Sequence, residues 1–479
     1  MKKVLVAAAL VATGTGARAA DLPAKATPYY KAPVAKVYDW TGFYVGVNGG
    51  TGFGRSFTPL TNRFGGNASS RLGGWGALGG GQIGYNWQHG NFLGLGNVVF
   101  GLEADIQGSA FNDDRTCEYG CMTGSGALSV NQKLDWFGTV RGRVGLATGP
   151  VLSYVTGGLA YGGVNTTVTI LSAIPPNVTS FSNTNTGWTL GSGVEAALGG
   201  AWTGKIEYLY VSLGTQSGDK TGVANSYLFR SEVNEQVFRA GLNYRMGERA
   251  TDLAEPVARW AGFYGGIDVG GAAAINRSSL TYPMAGQIRT DTFNLSSTNG
   301  FTGGGQLGYN FQSANWVLGI ETDLQGSTQQ DNKACEILCN GVNTAAFDQK
   351  LDWLGTTRGR IGYSIGSTLF YFTGGAAYGD VKTNIAGILI GAPFNQTFTH
   401  TKAGYTVGGG IESPFNLFGW FGPNWTAKTE YLYVDLGRTS DFIPLSSPTV
   451  GMTFSTHVRE DLFRTGLNYH FNEPVVAKY

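Results

Sequence analysis

The sequence predicts an all-β fold: a transmembrane antiparallel β-barrel protein built of two tandem eight-stranded barrels. Three observations predict it. The N-terminus carries an export leader, a long repeat fills nearly the whole remaining chain, and each copy alternates charged and apolar residues with period two. Composition sets the outer limits. Charged residues are 14 % of 479, against about 25 % in an ordinary soluble domain, and 76 glycines are about twice the usual share. Low charge with 13 % aromatics excludes a disordered acidic or basic chain. The glycines lack a G-X-Y period, which excludes collagen. No apolar run approaches the ~18 residues of a membrane helix, so a helical polytopic protein is excluded. A net charge of +1 without a basic block argues against nucleic acid as a partner.

The leader comes first in the chain. Lys2 and Lys3 precede the apolar run Val4 to Ala12, and Ala17-Arg18-Ala19 closes it as an A-x-A cleavage site. Residues 1–19 are therefore expected to be a signal peptide. Losing Lys2, Lys3 and Arg18 leaves a mature charge of about −2. Residues 20–39 are expected to be a periplasmic linker, 40–246 a first barrel, 247–259 a linker, 260–471 a second barrel and 472–479 a tail. Ala32-Pro33-Val34-Ala35-Lys36, Glu255-Pro256-Val257-Ala258-Arg259 and Glu473-Pro474-Val475 mark the connectors as repeated, Pro-containing, extended segments.

The repeat is close. Gln132-Lys133-Leu134-Asp135-Trp136-Phe137-Gly138-Thr139-Val140-Arg141-Gly142-Arg143 returns as Gln349-Lys350-Leu351-Asp352-Trp353-Leu354-Gly355-Thr356-Thr357-Arg358-Gly359-Arg360. Gly101-Leu102-Glu103-Ala104-Asp105 returns at Gly319 to Asp323. Trp40-Thr41-Gly42-Phe43-Tyr44 returns as Trp260-Ala261-Gly262-Phe263-Tyr264. Phe238-Arg239-Ala240-Gly241-Leu242-Asn243-Tyr244 returns as Phe463-Arg464-Thr465-Gly466-Leu467-Asn468-Tyr469.

Eight strands of about ten residues are expected in each copy, the length a tilted membrane strand needs. In the first copy they fall near 43–55, 76–87, 101–110, 133–147, 151–163, 187–198, 202–210 and 238–244. The gaps 56–75, 111–132, 164–186 and 215–234 are long; 88–97, 147–150 and 199–201 are short. Long loops at one end and short turns at the other suit an outer-membrane barrel with extracellular loops and both termini periplasmic. The apolar face carries Trp136, Trp188, Trp202, Tyr208, Tyr210, Phe238 and Tyr244, which suit interfacial girdles facing lipid.

The motifs Gly42-Phe43-Tyr44, Lys133-Leu134-Asp135-Trp136 with Arg141-Gly142-Arg143, Thr156-Gly157-Gly158-Leu159-Ala160-Tyr161-Gly162 and Glu207-Tyr208-Leu209-Tyr210 resemble the outer-membrane immunogenic protein family. These are opacity-type eight-stranded barrels of Gram-negative bacteria, often labelled "porin family". The segment Phe463-Arg464-Thr465-Gly466-Leu467-Asn468-Tyr469-His470-Phe471 looks like that family's terminal signal, with Phe463, Gly466, Leu467, Tyr469 and Phe471 read by the barrel-assembly machinery. The signal occurs twice, which supports two barrels, and eight residues follow Phe471, unlike the usual pattern. The resemblance implies outer-membrane lipid around the barrel and surface-exposed loops, and no single activity.

The opposite face is expected to line the lumen. In the first copy it carries Glu103, Asp105, Asp135, Glu195, Glu207 and Glu235 against Lys133, Arg141, Arg143, Lys205, Arg239 and Arg245. The second copy sets Glu321, Asp323, Asp352, Glu412 and Glu430 against Lys350, Arg358, Arg360, Lys428 and Arg464. Eight strands leave room for side chains rather than a channel, so the balanced charges are expected to pair as a plug. The alternative is one fused sixteen-stranded barrel, in which the same charges would line an aqueous pore.

Cys117 and Cys121, and Cys335 and Cys339, are expected to form a loop disulfide in each copy; a metal site would need further ligands, and no His lies nearby. Gly79-x-Gly81-x-x-Gly84 and Gly303-x-Gly305-x-x-Gly308 match a dinucleotide fingerprint in letters only, because period two runs through them and no helix follows. No cofactor is expected. His89, His400, His457 and His470 do not recur at matched places, which disfavours a rim-located Ser/His lipid hydrolase. The loops near 164–186 and 215–234 differ most from their counterparts, so a host or surface ligand is expected there. A structural and surface-interaction role without enzymatic activity is the expectation, with a passive diffusion porin for small solutes as the alternative.

Overall fold

A strand surrounded by lipid must hide every backbone donor and acceptor, and a closed ring does this without edges. The computed structural model describes residues 38–54, 56–62, 67–72, 75–90, 97–116, 128–170, 177–220, 227–247, 258–284, 287–337, 344–389, 392–415, 421–447 and 450–471. The first barrel contains β1 (Gly42–Gly54), β2 (Ser56–Asn62), β3 (Asn67–Leu72), β4 (Trp75–His89), β5 (Asn97–Thr116), β6 (Leu128–Thr148), β7 (Val151–Ile170), β8 (Asn177–Gly199), β9 (Trp202–Lys220) and β10 (Tyr227–Met246). Neighbours pair antiparallel in the order β1-β4-β5-β6-β7-β8-β9-β10, and β10 returns to β1. The β2–β3 hairpin prolongs the wall beside β10, leaving eight staves.

The second barrel contains β11 (Gly262–Met284), β12 (Gln287–Ser313), β13 (Trp316–Ser327), β14 (Gln330–Ile337), β15 (Thr344–Ile365), β16 (Thr368–Leu389), β17 (Ala392–Pro414), β18 (Trp425–Ser447) and β19 (Val450–His470). β11 closes on β19 and β13 on β15, while β14 extends the β13 stave. Each ring closes on itself, so the single sixteen-stranded barrel is excluded.

The strands are about twice as long as expected. β12 has 27 residues and β8 has 23, where a bilayer needs about 9–11. Most of the supposed long loops are strand. Segments such as Val164-Asn165-Thr166-Thr167-Val168 carry no apolar-out pattern in the sequence, because their outward residues face water.

Two aromatic bands mark the lipid-facing part. Near the short turns stand Phe43 and Tyr85, Trp202 and Tyr244, Trp316 and Tyr363, and Trp425 and Tyr469. Toward the long-loop end stand Trp136 and Tyr161, Trp188 and Tyr210, and Trp353 and Tyr378. Between Trp202 and Tyr210 a tilted strand climbs about 20 Å, close to the apolar height of an outer-membrane barrel. Between the bands, outward residues such as Leu102 (56 % exposed) and Val155 (61 %) are bare aliphatics.

Just past the second band, β-bulges shift the pleat. They interrupt β6 between Leu134 and Trp136, β15 between Leu351 and Trp353, and β18 between Asp435 and Gly437. Gly214 (φ 68°) and Gly437 (φ 76°) take the left-handed conformation at matched places on β9 and β18, which glycine adopts without strain. On β15 the inward residues are Phe347, Gln349 and Leu351 before the bulge, and Leu354, Thr356, Arg358 and Arg360 after it. The barrel is apolar-out within lipid and apolar-in beyond it.

This corrects four lumen assignments. Lys133, Asp135, Lys350 and Asp352 lie on the outer face, because one uninterrupted period-two pattern was read across the bulge. Asp135 accepts a hydrogen bond from Asn165, and Lys350 pairs with Asp352 in the open. A cysteine placed at Lys350 should react quickly with a membrane-impermeant maleimide, while one at Thr356 should stay unlabelled until denaturation. Equal labelling of the two would contradict the parity shift.

Candidate functional site

The inward residues form layers stacked along each barrel axis. At the turn end, Trp40 and Trp260 are fully buried. The Trp40 backbone N–H donates to Gln88 Oε1 at 2.8 Å and its indole N–H to the Gly149 carbonyl at 3.2 Å. Trp260 does the same with Gln312 Oε1 (2.6 Å) and Ser364 Oγ (3.1 Å). Val99, Leu152 and Ala197 pack around Trp40, and Val317 and Leu369 around Trp260.

Above them lies the charge layer. The ladder sets Glu103 beside Arg141 and Glu207 beside Arg239 as cross-strand neighbours. Arg141 pairs with Glu103, with Asp105 at 2.9 Å and with Glu207 at 3.0 Å. Arg239 reaches Asp105 at 2.8 Å and Glu207 at 2.6 Å. Arg143 pairs with Glu195 at 2.9 Å and lies over the Tyr44 ring at 4.7 Å. Lys205 Nζ lies 2.9 Å from both Glu103 oxygens. β9 and β5 stand four staves apart in a ring of eight, so this pair spans the lumen at its full width.

The second barrel repeats the network. Arg358 joins Glu321, Asp323 and Glu430; Arg464 joins Asp323 and Glu430; Arg360 meets Glu412 at 2.9 Å. Lys428 crosses the lumen to Glu321 at 2.9 Å. Tyr44 and Tyr264 each donate to the glutamate at 2.8 Å, and Tyr154 and Tyr371 to Glu207 and Glu430 at 2.9 and 3.0 Å. Glu235 is buried on the inward face, and Arg245 sits half-buried at the turn end over Tyr38 and Trp40. Two inward positions at this level change their charge between copies. Asp268 replaces Asn48, with Arg464 3.5 Å away, and His470 replaces Arg245, 3.4 Å from Glu412.

An apolar layer follows toward the loop end. Leu134, Phe137, Val164, Leu209, Leu213 and Val233 fill it in the first barrel, and Leu351, Leu354, Val381, Leu432, Leu436 and Val458 in the second. Next comes an amide and hydroxyl layer. Gln132 donates to Thr166 and Ser231 at 3.1 Å, and Gln349 donates to Thr383 at 3.1 Å. The second barrel adds a further apolar layer with Tyr282, Phe293, Phe347, Met452 and Phe454.

Sequence reasoning found the charges and missed what caps them. Trp40, Tyr44 and their counterparts stood out only as recurring letters. The available signal was parity: Tyr44 shares its face with Gly46, Asn48 and Gly50, so it points inward. Gly84 lies opposite Tyr44 in the ladder, and a Cβ there would come within 2.2 Å of its hydroxyl. Close packing, not nucleotide binding, accounts for that glycine. Cys117, Cys121 and Cys339 lie outside the described residues, and Cys335 is described only as backbone of β14. Of the terminal segment, Gly466 faces inward, Phe463 and Leu467 are half-buried, and Tyr469 and Phe471 are exposed on the outer face.

A closed ring with a banded apolar exterior and paired charges within defines a transmembrane β-barrel. The chain belongs to the family described as "Outer membrane protein beta-barrel domain", whose profile matches residues 7–245 and again 253–471. It is an outer-membrane protein. It is 36 % identical over 253 residues to a 31 kDa outer-membrane immunogenic protein of Brucella melitensis, covering 51 % of this chain and 100 % of that one. It is 33 % identical over 186 residues to a 22 kDa outer membrane protein of Rhizobium leguminosarum, covering 38 % of this chain and 66 % of that one. Among solved structures, the attachment invasion locus protein Ail of Yersinia pestis aligns with 43 % of this chain and 99 % of its own, at 16 % identity and a TM-score of 0.18.

Removing one member of the charge layer should be costly. Arg141→Met leaves the buried Glu103, Asp105 and Glu207 short of a partner, and a loss of about 3–5 kcal/mol is expected. Lys350→Ala, at the exposed pair, should change stability by less than about 1 kcal/mol. Urea unfolding in lipid vesicles, followed by tryptophan fluorescence, measures both. Similar small losses would show the layer to be hydrated.

Proposed function

We propose that the protein is a non-conducting structural and surface-displaying element of the outer membrane. The observation that carries this reading is the lumen-spanning pair Lys205–Glu103, matched by Lys428–Glu321, set between a tryptophan cap and an apolar layer. Ions would have to break these charge pairs and then cross a dry section. In this reading the long-loop end faces outward, both chain ends lie on the periplasmic side, and loop disulfides Cys117–Cys121 and Cys335–Cys339 tie the display surface. The relatives named immunogenic support surface exposure. The terminal segment Phe463 to Phe471 serves assembly, and the loops meet a host or surface ligand. Relatives carry the names of outer-membrane proteins, in keeping with a non-catalytic role.

Planar-bilayer recording of the refolded mature chain tests this directly. Silence, or brief small steps, is expected for the natural protein. Trp40→Ala combined with Lys205→Ala and Leu209→Ala should raise the frequency of openings by thinning three layers of one barrel. Stable, discrete, large conductance from the natural protein would replace this reading with the diffusion porin.

A further inference from the structure

Among the described residues, each barrel has an outward strip that is covered, unlike the bare aliphatics elsewhere on its lipid face. Phe238 is 5 % exposed and Ala196 fully buried, while outward Leu190 on the same barrel is 59 % exposed. The other barrel covers the strip. Phe53, Tyr208 and Phe238 of the first barrel pack with Ala273, Tyr431 and Phe463 of the second. Tyr208 stacks on Phe463 with ring centroids 5.8 Å apart, and Phe238 meets Tyr431 at 5.4 Å and Phe463 at 5.8 Å.

The repeat makes these contacts symmetric. Tyr208 corresponds to Tyr431 in Glu-Tyr-Leu-Tyr, and Phe238 corresponds to Phe463 in the final strand. Tyr208 against Phe463 is thus the mate of Tyr431 against Phe238, and Phe238 against Phe463 is its own mate. That reciprocity is the mark of an isologous contact. A second cluster joins Val151, Val194, Ala196 and Ile206 to Phe370 and Ile411, with Val194 and Ile411 again equivalent. These residues lie toward the turn end in both barrels. Turn end therefore stands beside turn end, and the pseudo-twofold axis runs along the barrels.

Burial explains the polar atoms at this strip. Each tyrosine ring sits against the other barrel while its hydroxyl donates within its own: Tyr431 to Asp461, and Tyr208 to Gln236 at 3.4 Å. Asp461 and Gln236 occupy matched positions on β19 and β10. A buried tyrosine is thereby satisfied without drawing on the neighbouring barrel. In lipid such a contact rests on packing rather than water exclusion, and the 247–259 connector makes it an intramolecular event at high effective concentration.

We propose that the tandem chain is a covalently fused barrel dimer, whose halves associate in the membrane through this isologous aromatic strip and hold their loop-bearing ends on the same side at fixed spacing. Cross-linking the full chain in vesicles tests it. Cys117, Cys121, Cys335 and Cys339 are replaced by Ser, a protease site is placed within residues 248–257, and two pairs are built: Tyr208→Cys with Phe463→Cys, and the mate Phe238→Cys with Tyr431→Cys. A remote exposed pair, Leu102→Cys with Ile320→Cys, is the control. Heat-modifiable gel mobility verifies folding. After a short bis-maleimide and cleavage, both strip pairs should leave the halves joined at least about tenfold more often than the control. Equal yields for strip and control pairs would overturn the proposal, as would joining only between different chains. Where the serine background fails to fold, a photo-reactive benzoyl-phenylalanine at position 208 of the natural-cysteine chain gives the same readout. It should join the halves, and its failure to do so would again overturn the proposal.

Discussion

Every stave changes solvent partway along its length, and the rest of the barrel depends on that change. Within lipid the outer face must be apolar, which leaves the inner face to polar residues. Beyond lipid the outer face must be polar, which leaves the inner face to a hydrophobic core. A strand of fixed parity meets both demands only by reversing its sequence pattern at the boundary; a bulge meets them by moving the pleat one residue. On β15 an unbulged strand with Arg358 and Thr356 inward would also turn Asp348, Lys350 and Asp352 inward and put Phe347 and Leu351 into water. The bulges at Leu134/Trp136, Leu351/Trp353 and Asp435/Gly437 therefore follow from the height of the membrane.

The charge layer follows from the same constraint. Arginine and lysine turned inward at bilayer depth meet no bulk water, so each needs a carboxylate within reach. Among the described residues, four bases per barrel are met by four acids in the first and, with Asp268, five in the second, and Arg141, Arg239, Arg358 and Arg464 are each shared among several carboxylates. Because Lys205 and Lys428 reach diametrically across, the network fixes the circumference as well as the register. The cost of burying charge is offset by geometry that only an eight-stave ring offers: at sixteen staves the opposite wall would be out of reach.

Much of this was legible in the sequence, and most of the failures trace to the membrane boundary. Period two within Gly101–Gln107 and Thr203–Tyr208 gave the inward charges correctly because those segments lie wholly inside the lipid band. The segment 133–147 crosses the bulge, so the same rule misplaced Lys133 and Asp135, and Lys350 and Asp352 in the second copy. A bulge leaves little trace in a single sequence. Its one local sign is that Leu134-Asp135-Trp136 flanks an acid with two large apolar residues of opposite destination. Strand lengths were underestimated for a related reason, since outside lipid a Thr/Asn/Ser-rich outer face reads as loop. The tryptophan caps were hidden because they lie just before β1 and β11, where no alternation can reveal direction.

The glycine content, puzzling as composition, is the negative image of the charge layer. A narrow barrel has little interior, and guanidinium groups and tyrosine rings occupy it. The staves facing them must recede. A Cβ at Gly84 would lie 2.2 Å from the Tyr44 hydroxyl, and one at Gly308 would lie 2.3 Å from the Tyr264 ring and hydroxyl. Gly101 and Gly319 make room for Arg143 and Arg360 in the same way, at 2.9 and 3.0 Å. Large inward side chains and inward glycines are thus chosen together, and both recur at matched positions in the two copies. Asp268 and His470 show that the exchange of Asn48 and Arg245 was accommodated without disturbing that partition of space, since neither replacement falls on a glycine or on a lumen-spanning lysine.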